Sequence, residues 1–319
     1  MNRKSIFSCI ALLLAASCLT ACANTNQKVV FSSNWQSDNI VSINDLTETL
    51  EYEITFEKAS SIDYQIDYTN GKYTTLLKTE QLGERTIYSY ETTLTIDVTY
   101  EYQQESVSFS DRVYSLVKFE KADKSLRPIS SHKEVFSHSP EKSPQSLESC
   151  YRLLDYVVDV TYNENYSGAS TLALKDGAET KDYQNSFQMD TEKFTCLDNE
   201  QLLFALRGVN PSLSSSLKFN VYNPAVEMTQ SVSPTFASET ADEFTFARNG
   251  ETKQRTISYF PVSVVLNEKN SGATQKVWIA KNTNIQNNTY RNVILKMEMP
   301  VYYSLGTLVY TLKSATFSN

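Results

Sequence analysis

Residues 94–102 read Leu-Thr-Ile-Asp-Val-Thr-Tyr-Glu-Tyr, with Leu94, Ile96, Val98, Tyr100 and Tyr102 on one parity and Thr95, Asp97, Thr99 and Glu101 on the other. Strand side chains alternate between faces, so a period of two predicts a strand with one covered and one wet face. The pattern extends both ways. Upstream, Tyr52, Ile54 and Phe56 alternate with Glu51, Glu53, Thr55 and Glu57, and residues 62–68 and 73–79 continue the alternation. Asn70-Gly71 between those two runs predicts a two-residue hairpin, because both positions tolerate positive φ. Downstream, Val107, Phe109, Val113, Val117 and Phe119 share one parity, interrupted by Asp111. A lone carboxylate on a covered face is costly, so a bulge is expected at Asp111.

Alternation resumes at Leu154, Tyr156, Val158, Val160 and Tyr162, and returns in the last third. There Ile257 and Tyr259 lie on one parity and Val262, Val264 and Leu266 on the other, with Pro261 at the switch. Proline has no N–H for a ladder, so an edge or bulge is expected there. Val277-Trp278-Ile279, then Val293, Leu295, Met297 and Met299, then Leu308, Tyr310 and Leu312 complete the strand pattern. One segment reads as a helix. Asp198 caps it, Gln201 completes a capping-box pattern, Leu202, Leu203 and Leu206 share a face, and Gly208 and Pro211 end it. So short a helix must pack on a sheet to persist.

The expected fold is therefore mainly β: a large, curved antiparallel sheet, open or half-barrel, with one short helix packed on it. Residues 47–319 form a single large β domain in this reading. The Pro/Ser loop at 139–149 is the candidate boundary for an alternative with two β halves.

The N-terminus sets the compartment. Arg3 and Lys4 precede an apolar run from Phe7 to Cys18, and small residues lead to Cys22. Leu19-Thr20-Ala21-Cys22 resembles a bacterial lipobox, and Ala15-Ala16-Ser17-Cys18 is a poorer second match. The resemblance implies loss of residues 1–21 as a signal peptide, acylation of Cys22, and lipid anchoring to the cell membrane or outer membrane on the extracytoplasmic side. Ala23 in place of Asp is compatible with outer-membrane sorting by resemblance to the usual sorting rule. The apolar run is too short to span a bilayer. Residues 22–46 read as a flexible tether, with room for a short strand at Val29-Val30-Phe31. As a free coil this tether would hold the domain roughly 25–30 Å from the bilayer.

The net charge is −8, and loss of Arg3 and Lys4 with the leader takes it to −10. An acidic chain disfavours nucleic acid. Of the five cysteines, Cys150 and Cys196 remain once the leader and Cys22 are set aside. They either form one disulfide or stay as two buried thiols. Neither has metal-ligand spacing.

Catalytic signals are weak. The chain has two histidines, His132 and His138, with Ser137 beside the second. No nucleophile elbow or orienting partner is identifiable, so both are expected to be ordinary surface or edge residues. No P-loop, dinucleotide-binding glycine pattern or His-Glu-x-x-His motif occurs. Asp155/Asp159 and Glu51/Glu53 read as outer-face charges that block edge pairing. Asp176-Gly177 and Asp198-Asn199-Glu200 are incomplete as Ca²⁺ loops. No cofactor, metal or enzymatic activity is expected.

The 20 tyrosines and 15 phenylalanines carry more information, because many fall on the covered parity. On a closed sandwich they would be core. On an incompletely closed sheet, Tyr100, Tyr102, Phe109, Tyr156, Tyr162 and Tyr310 would line a cavity for a lipid.

A second resemblance lies at the chain's end. Val277-Trp278-Ile279-Ala280, residues 292–297 (Asn-Val-Ile-Leu-Lys-Met) and residues 305–312 (Leu-Gly-Thr-Leu-Val-Tyr-Thr-Leu) look like the closing strands of a family of exported proteins of unknown function. The capped segment from Asp198 to Gly208, with its Leu206-Arg207, is similar to that family's short helix. The resemblance implies the half-open barrel of LolA/LolB-like lipoprotein carriers and transfers no functional residue. Together these readings lead to a non-catalytic envelope lipoprotein that binds or carries a hydrophobic ligand. The alternative is an envelope structural or protein-interaction lipoprotein with a filled core.

Overall fold

The computed structural model describes residues 29, 31, 47–59, 65–120, 126–176, 179–209, 218–224, 227–266, 274–281 and 292–318. Cys22, the leader, Gly177 and Pro211 lie outside the described residues, as does all of the expected tether except Val29 and Phe31.

The first half of the chain is an antiparallel meander of strands β1 (Thr47–Lys58), β2 (Gln65–Leu82), β3 (Arg85–Tyr102), β4 (Glu105–Glu120), β5 (Pro128–Pro140), β6 (Tyr151–Tyr162), β7 (Ser167–Asp176) and β8 (Glu179–Gln188). The short β9 (Thr195–Asp198) leads into helix α1 (Leu202–Leu206). Then follow β10 (Phe219–Asn223), β11 (Met228–Phe236), β12 (Thr240–Arg248), β13 (Glu251–Leu266), β14 (Thr274–Ala280), β15 (Ile294–Pro300) and β16 (Gly306–Ser318).

The final strand returns to the first. β16 pairs antiparallel with β1 from Lys58↔Gly306 to Thr47↔Ser318, which joins both halves into one 16-stranded sheet. Part of that sheet closes on itself. Each strand from β12 to β16 pairs with the next, and β12 also runs parallel to β16 at Ala247↔Ser314 and Arg248↔Ala315, giving a closed five-strand barrel. Among the described residues the chain forms the expected class, a large curved and mainly antiparallel sheet with one short helix.

Three local readings change. Asn70-Gly71 is not a hairpin: β2 runs straight through it, Asn70 takes φ 53°, and the register with β3 slips between Thr69 and Lys72. The permissive pair makes a β-bulge. Gly71 is required there because an added Cβ would lie 2.5 Å from Ile54 Cβ. Asn249-Gly250 does make the turn, with φ 48° and 84°, between paired Arg248 and Glu251. Pro261, expected at an edge or bulge, lies where β13 changes neighbours: β12 pairs it up to Tyr259 and β11 takes over at Val262. The missing N–H falls at the handover. Of the expected loop at 139–149, Ser139 and Pro140 belong to β5, and residues 141–150 close a hairpin in which β5 and β6 pair from Ser130↔Thr161 to Pro140↔Tyr151.

The core runs from the meander into the barrel through α1. Leu202, Phe204, Ala205 and Leu206 are buried together with Tyr88, Tyr90 and Phe119 of the meander and Ile257, Val277 and Met297 of the barrel. Five helical residues cannot hold a helix alone, so burial and capping sustain it. Just past α1, the Arg207 guanidinium makes a two-pronged ion pair with Glu48, Nη1–Oε1 2.7 Å and Nη2–Oε2 2.9 Å, with side chains 4 % and 2 % exposed.

Candidate functional site

At the start of the helix the predicted capping box is present. The Asp198 carboxylate accepts the Glu200 amide at 2.8 Å, and Gln201 Oε1 accepts the Asp198 amide at 3.1 Å. The Asp198 carboxylate also accepts Ser131 Oγ at 2.6 Å and the Tyr162 hydroxyl at 2.5 Å, and Gln201 Nε2 donates to Leu126 O at 2.8 Å. Beside it Lys133 Nζ pairs with Glu200 Oε1 at 2.8 Å. Burial pushes the Glu200 carboxyl up, but the charge and hydrogen bond of Lys133, with hydrogen bonds from Asn199 and Ser115, together outweigh it and hold the group below the usual range.

Asp198 is shifted the other way. Burial, then the charge of Glu200, raise its carboxyl from 3.8 to about 6 against the hydrogen bonds it accepts. A folded value above the unfolded one means that the fold favours the neutral form. Its contribution is full below about pH 4 and is lost as pH rises through about 6. Denaturant midpoints measured at both ends of that window should show a smaller pH-dependent loss in Asp198→Asn than in wild type. Identical profiles would mean that Asp198 ionises normally.

Asp111 is a buried charge, not a bulge. β3 and β4 stay in register through Ile96↔Asp111, and Asp111 is 4 % exposed. β5 ceases to pair with β4 beyond Arg112↔Phe136, and the Asp111 carboxylate fills the gap. It accepts the His138 amide and Ser137 Oγ, each at 2.9 Å, and contacts His138 Nδ1 at 2.7 Å. The Tyr100 hydroxyl donates to His138 O at 2.5 Å, and the imidazole stacks on Phe109 with centroids 3.7 Å apart. A carboxylate thus replaces ladder bonds where two strands part. His138, expected at a surface or edge, is 6 % exposed. Ser137 Oγ bonds to the aspartate and not to the imidazole, so the three groups do not form a nucleophile–base pair.

His132 does lie near the surface. It bridges Asp159 at 2.8 Å and Glu134 at 3.1 Å. Burial lowers its pKa, but the hydrogen bonds and charges of the two carboxylates outweigh it and raise the value.

On the outer side of β3–β7 lies a half-open groove of about 160 Å³. Register places Arg112, Phe136 and Asp155 in one row across β4–β6, with Lys175 Nζ 4.0 Å from Asp155, and Tyr114 opposite Glu134 beside it. Two cations, two carboxylates and three aromatic rings (Tyr114, Phe136 and Tyr156) share the groove, whose charge is balanced.

The six aromatic residues expected to line a cavity are divided among three clusters. Tyr100, Tyr102 and Phe109 pack around Val98 and Cys150; Tyr156 and Tyr162 pack with Tyr222; Tyr310 belongs to the central core. Tyr156 alone of the six also borders the outer groove. Cys150 and Cys196 are buried in separate clusters and are not joined by a disulfide in this structure. Among the described residues no group of histidine, cysteine, aspartate and glutamate is arranged to hold a metal, and no helix is long and apolar enough to cross a membrane.

Sequence reasoning missed Glu48, Arg207 and Asp111 as partners of other charges. The one available signal was a charged residue on a covered parity, as at Asp111. The chain matches no known protein family, no curated protein and no solved structure at a significant level.

Proposed function

We propose that the chain is a membrane-tethered, extracytoplasmic lipoprotein that acts without catalysis, by binding an envelope protein on its outer surface. The observation that carries this reading is the packing of the inner side of the sheet among the described residues. Helix α1 and aromatic rings occupy the inner side of the sheet, and the hydroxyls there are committed to the protein itself. Tyr52 donates to Ile294 O at 2.8 Å, Tyr100 to His138 O, Tyr162 to Asp198, and Tyr222 bonds Ser170 at 2.7 Å. A carrier of acyl chains needs an apolar cavity of roughly 300 Å³ or more. The outer groove is smaller, half-open and lined by Arg112, Glu134, Asp155 and Lys175, which suits polar side chains of a partner better than a lipid tail. The anchor in this proposal rests on the lipobox-like Leu19-Thr20-Ala21-Cys22. The non-catalytic part is supported by the Ser137 hydroxyl being held by Asp111.

The test has two arms. A photo-crosslinking residue at position 95, on the rim of the groove, should give a discrete protein adduct in cells, and Arg112→Glu should abolish it. Native mass spectrometry of the soluble part should show polypeptide alone. A co-purifying lipid, or an adduct insensitive to Arg112→Glu, would overturn the proposal, the former in favour of lipid carriage.

A further inference from the structure

Two residues of the segment read as a free tether are docked. The Val29 amide donates to Thr195 Oγ1 at 3.0 Å, and the side chain is 7 % exposed. Phe31 is 5 % exposed and forms an antiparallel bridge with Val209, just beyond α1. Both side chains belong to the central core with Leu197, Leu206 and Phe219. The segment is therefore held by apolar burial and by backbone bonding at two separate places.

We infer that in the acylated protein this docking converts a long tether into a short one and holds the turn at residues 191–194 against the lipid surface. The inference rests on the anchor proposed above. Only Ala23 to Lys28 separate Cys22 from Val29. A coil of that length spans roughly 15 Å on average and roughly 25 Å when fully extended. If Val29 and Phe31 were free, the chain from Cys22 to Thr47 would span roughly 25–30 Å on average and roughly 85 Å extended.

The point where the spacer leaves the domain is also set. Because the Val29 amide sits on Thr195, the spacer departs beside the turn that precedes β9, where Glu192 and Lys193 are exposed. The local charges are Asp190, Glu192 and Lys193, an excess of one negative charge. Attraction to anionic headgroups does not hold this face to the bilayer; the short spacer does. The arrangement should therefore be indifferent to salt, unlike a contact made by surface charge.

The experiment uses the full acylated chain with a fluorophore attached through Lys193→Cys, the two remaining thiols, Cys150 and Cys196, being buried. The protein is reconstituted into phosphatidylcholine vesicles containing a headgroup-nitroxide lipid. Quenching should be strong and unchanged by high salt. It should fall several-fold in Val29→Ser/Phe31→Ser. A Gly/Ser insertion of about 18 residues after Lys28 should lower it equally while leaving the docked residues untouched, which covers the case of a misfolded double variant. Weak quenching in the acylated protein, or quenching that neither variant lowers, would overturn the inference alone. A mature mass lacking acyl chains on Cys22 would remove the anchor, and the inference with it.

Discussion

Arg207→Ala is expected to destabilise the domain by about 3–5 kcal/mol, the cost of leaving a buried charge without its partner. For a chain of this size that corresponds to a fall in Tm of roughly 10 °C. Both side chains are almost fully enclosed, so Glu48 would be left as a carboxylate in an apolar core. The guanidinium has further attachments. Its Nε donates to Asn292 O at 3.1 Å, Asn292 Nδ2 donates to Arg207 O at 2.9 Å, and the charge lies 5.4 Å from the centroid of the Phe204 ring. It therefore ties the end of α1 to β1 and to the approach to β15. Arg207→Lys should fall between wild type and alanine, because an ammonium keeps the charge and loses the planar fork. Glu48→Leu/Arg207→Met should recover most of the single-variant loss, since an apolar pair of similar volume carries no desolvation penalty. Chemical denaturation of the four proteins decides the matter. Single variants within a few tenths of a kcal/mol of wild type would mean that water reaches the pair.

The sequence contained half of this interaction. Leu206-Arg207 stood out at the end of a capped segment, and Glu48 shares its parity with Leu50 and Tyr52. What joins them is a contact across 159 positions, and no local pattern encodes which distant charge a given charge will meet. The features that were legible are local. Alternation along residues 94–102 located β3, and Asp198 with Gln201 located the start of the helix, because strand faces and caps are set by neighbours within a few residues.

Asn-Gly marks the limit of such signals. Both Asn70-Gly71 and Asn249-Gly250 supply positive φ, yet the first bulges and the second turns. β2 pairs with β3 on both sides of residues 70–71 and with β1 from Gly71 onward, so the chain gains more by continuing than by reversing. Barrel closure was equally hidden. It depends on two residue pairs between β12 and β16, strands whose own patterns are those of any half-buried strand. Asp111 shows the converse. Its position on a covered parity was read as a bulge, when the actual solution was three donors gathered from β5.

Phe204→Ala should rank with Arg207→Ala, at about 3–5 kcal/mol. The ring is 1 % exposed, with centroids 5.2–5.8 Å from Phe119, Tyr90 and Tyr88. The loss depends on how far the surroundings can close over the space. Here α1 cannot slide toward the sheet, because Asp198 is held by Ser131 and Tyr162 at its start and Arg207 by Glu48 at its end. The upper part of the range is expected, with the denaturant slope unchanged if the denatured state is unaffected. The variant also bears on function. An apolar hollow walled by Phe119, Tyr88 and Tyr90 stays dry and takes up small aromatic solutes. Phe204→Ala should therefore be re-stabilised by benzene or a similar probe, and wild type should not. Equal stabilisation of wild type would mean that the inner side of the sheet already has room for an apolar guest, and carriage of a hydrophobic ligand would regain its place over binding at the outer face.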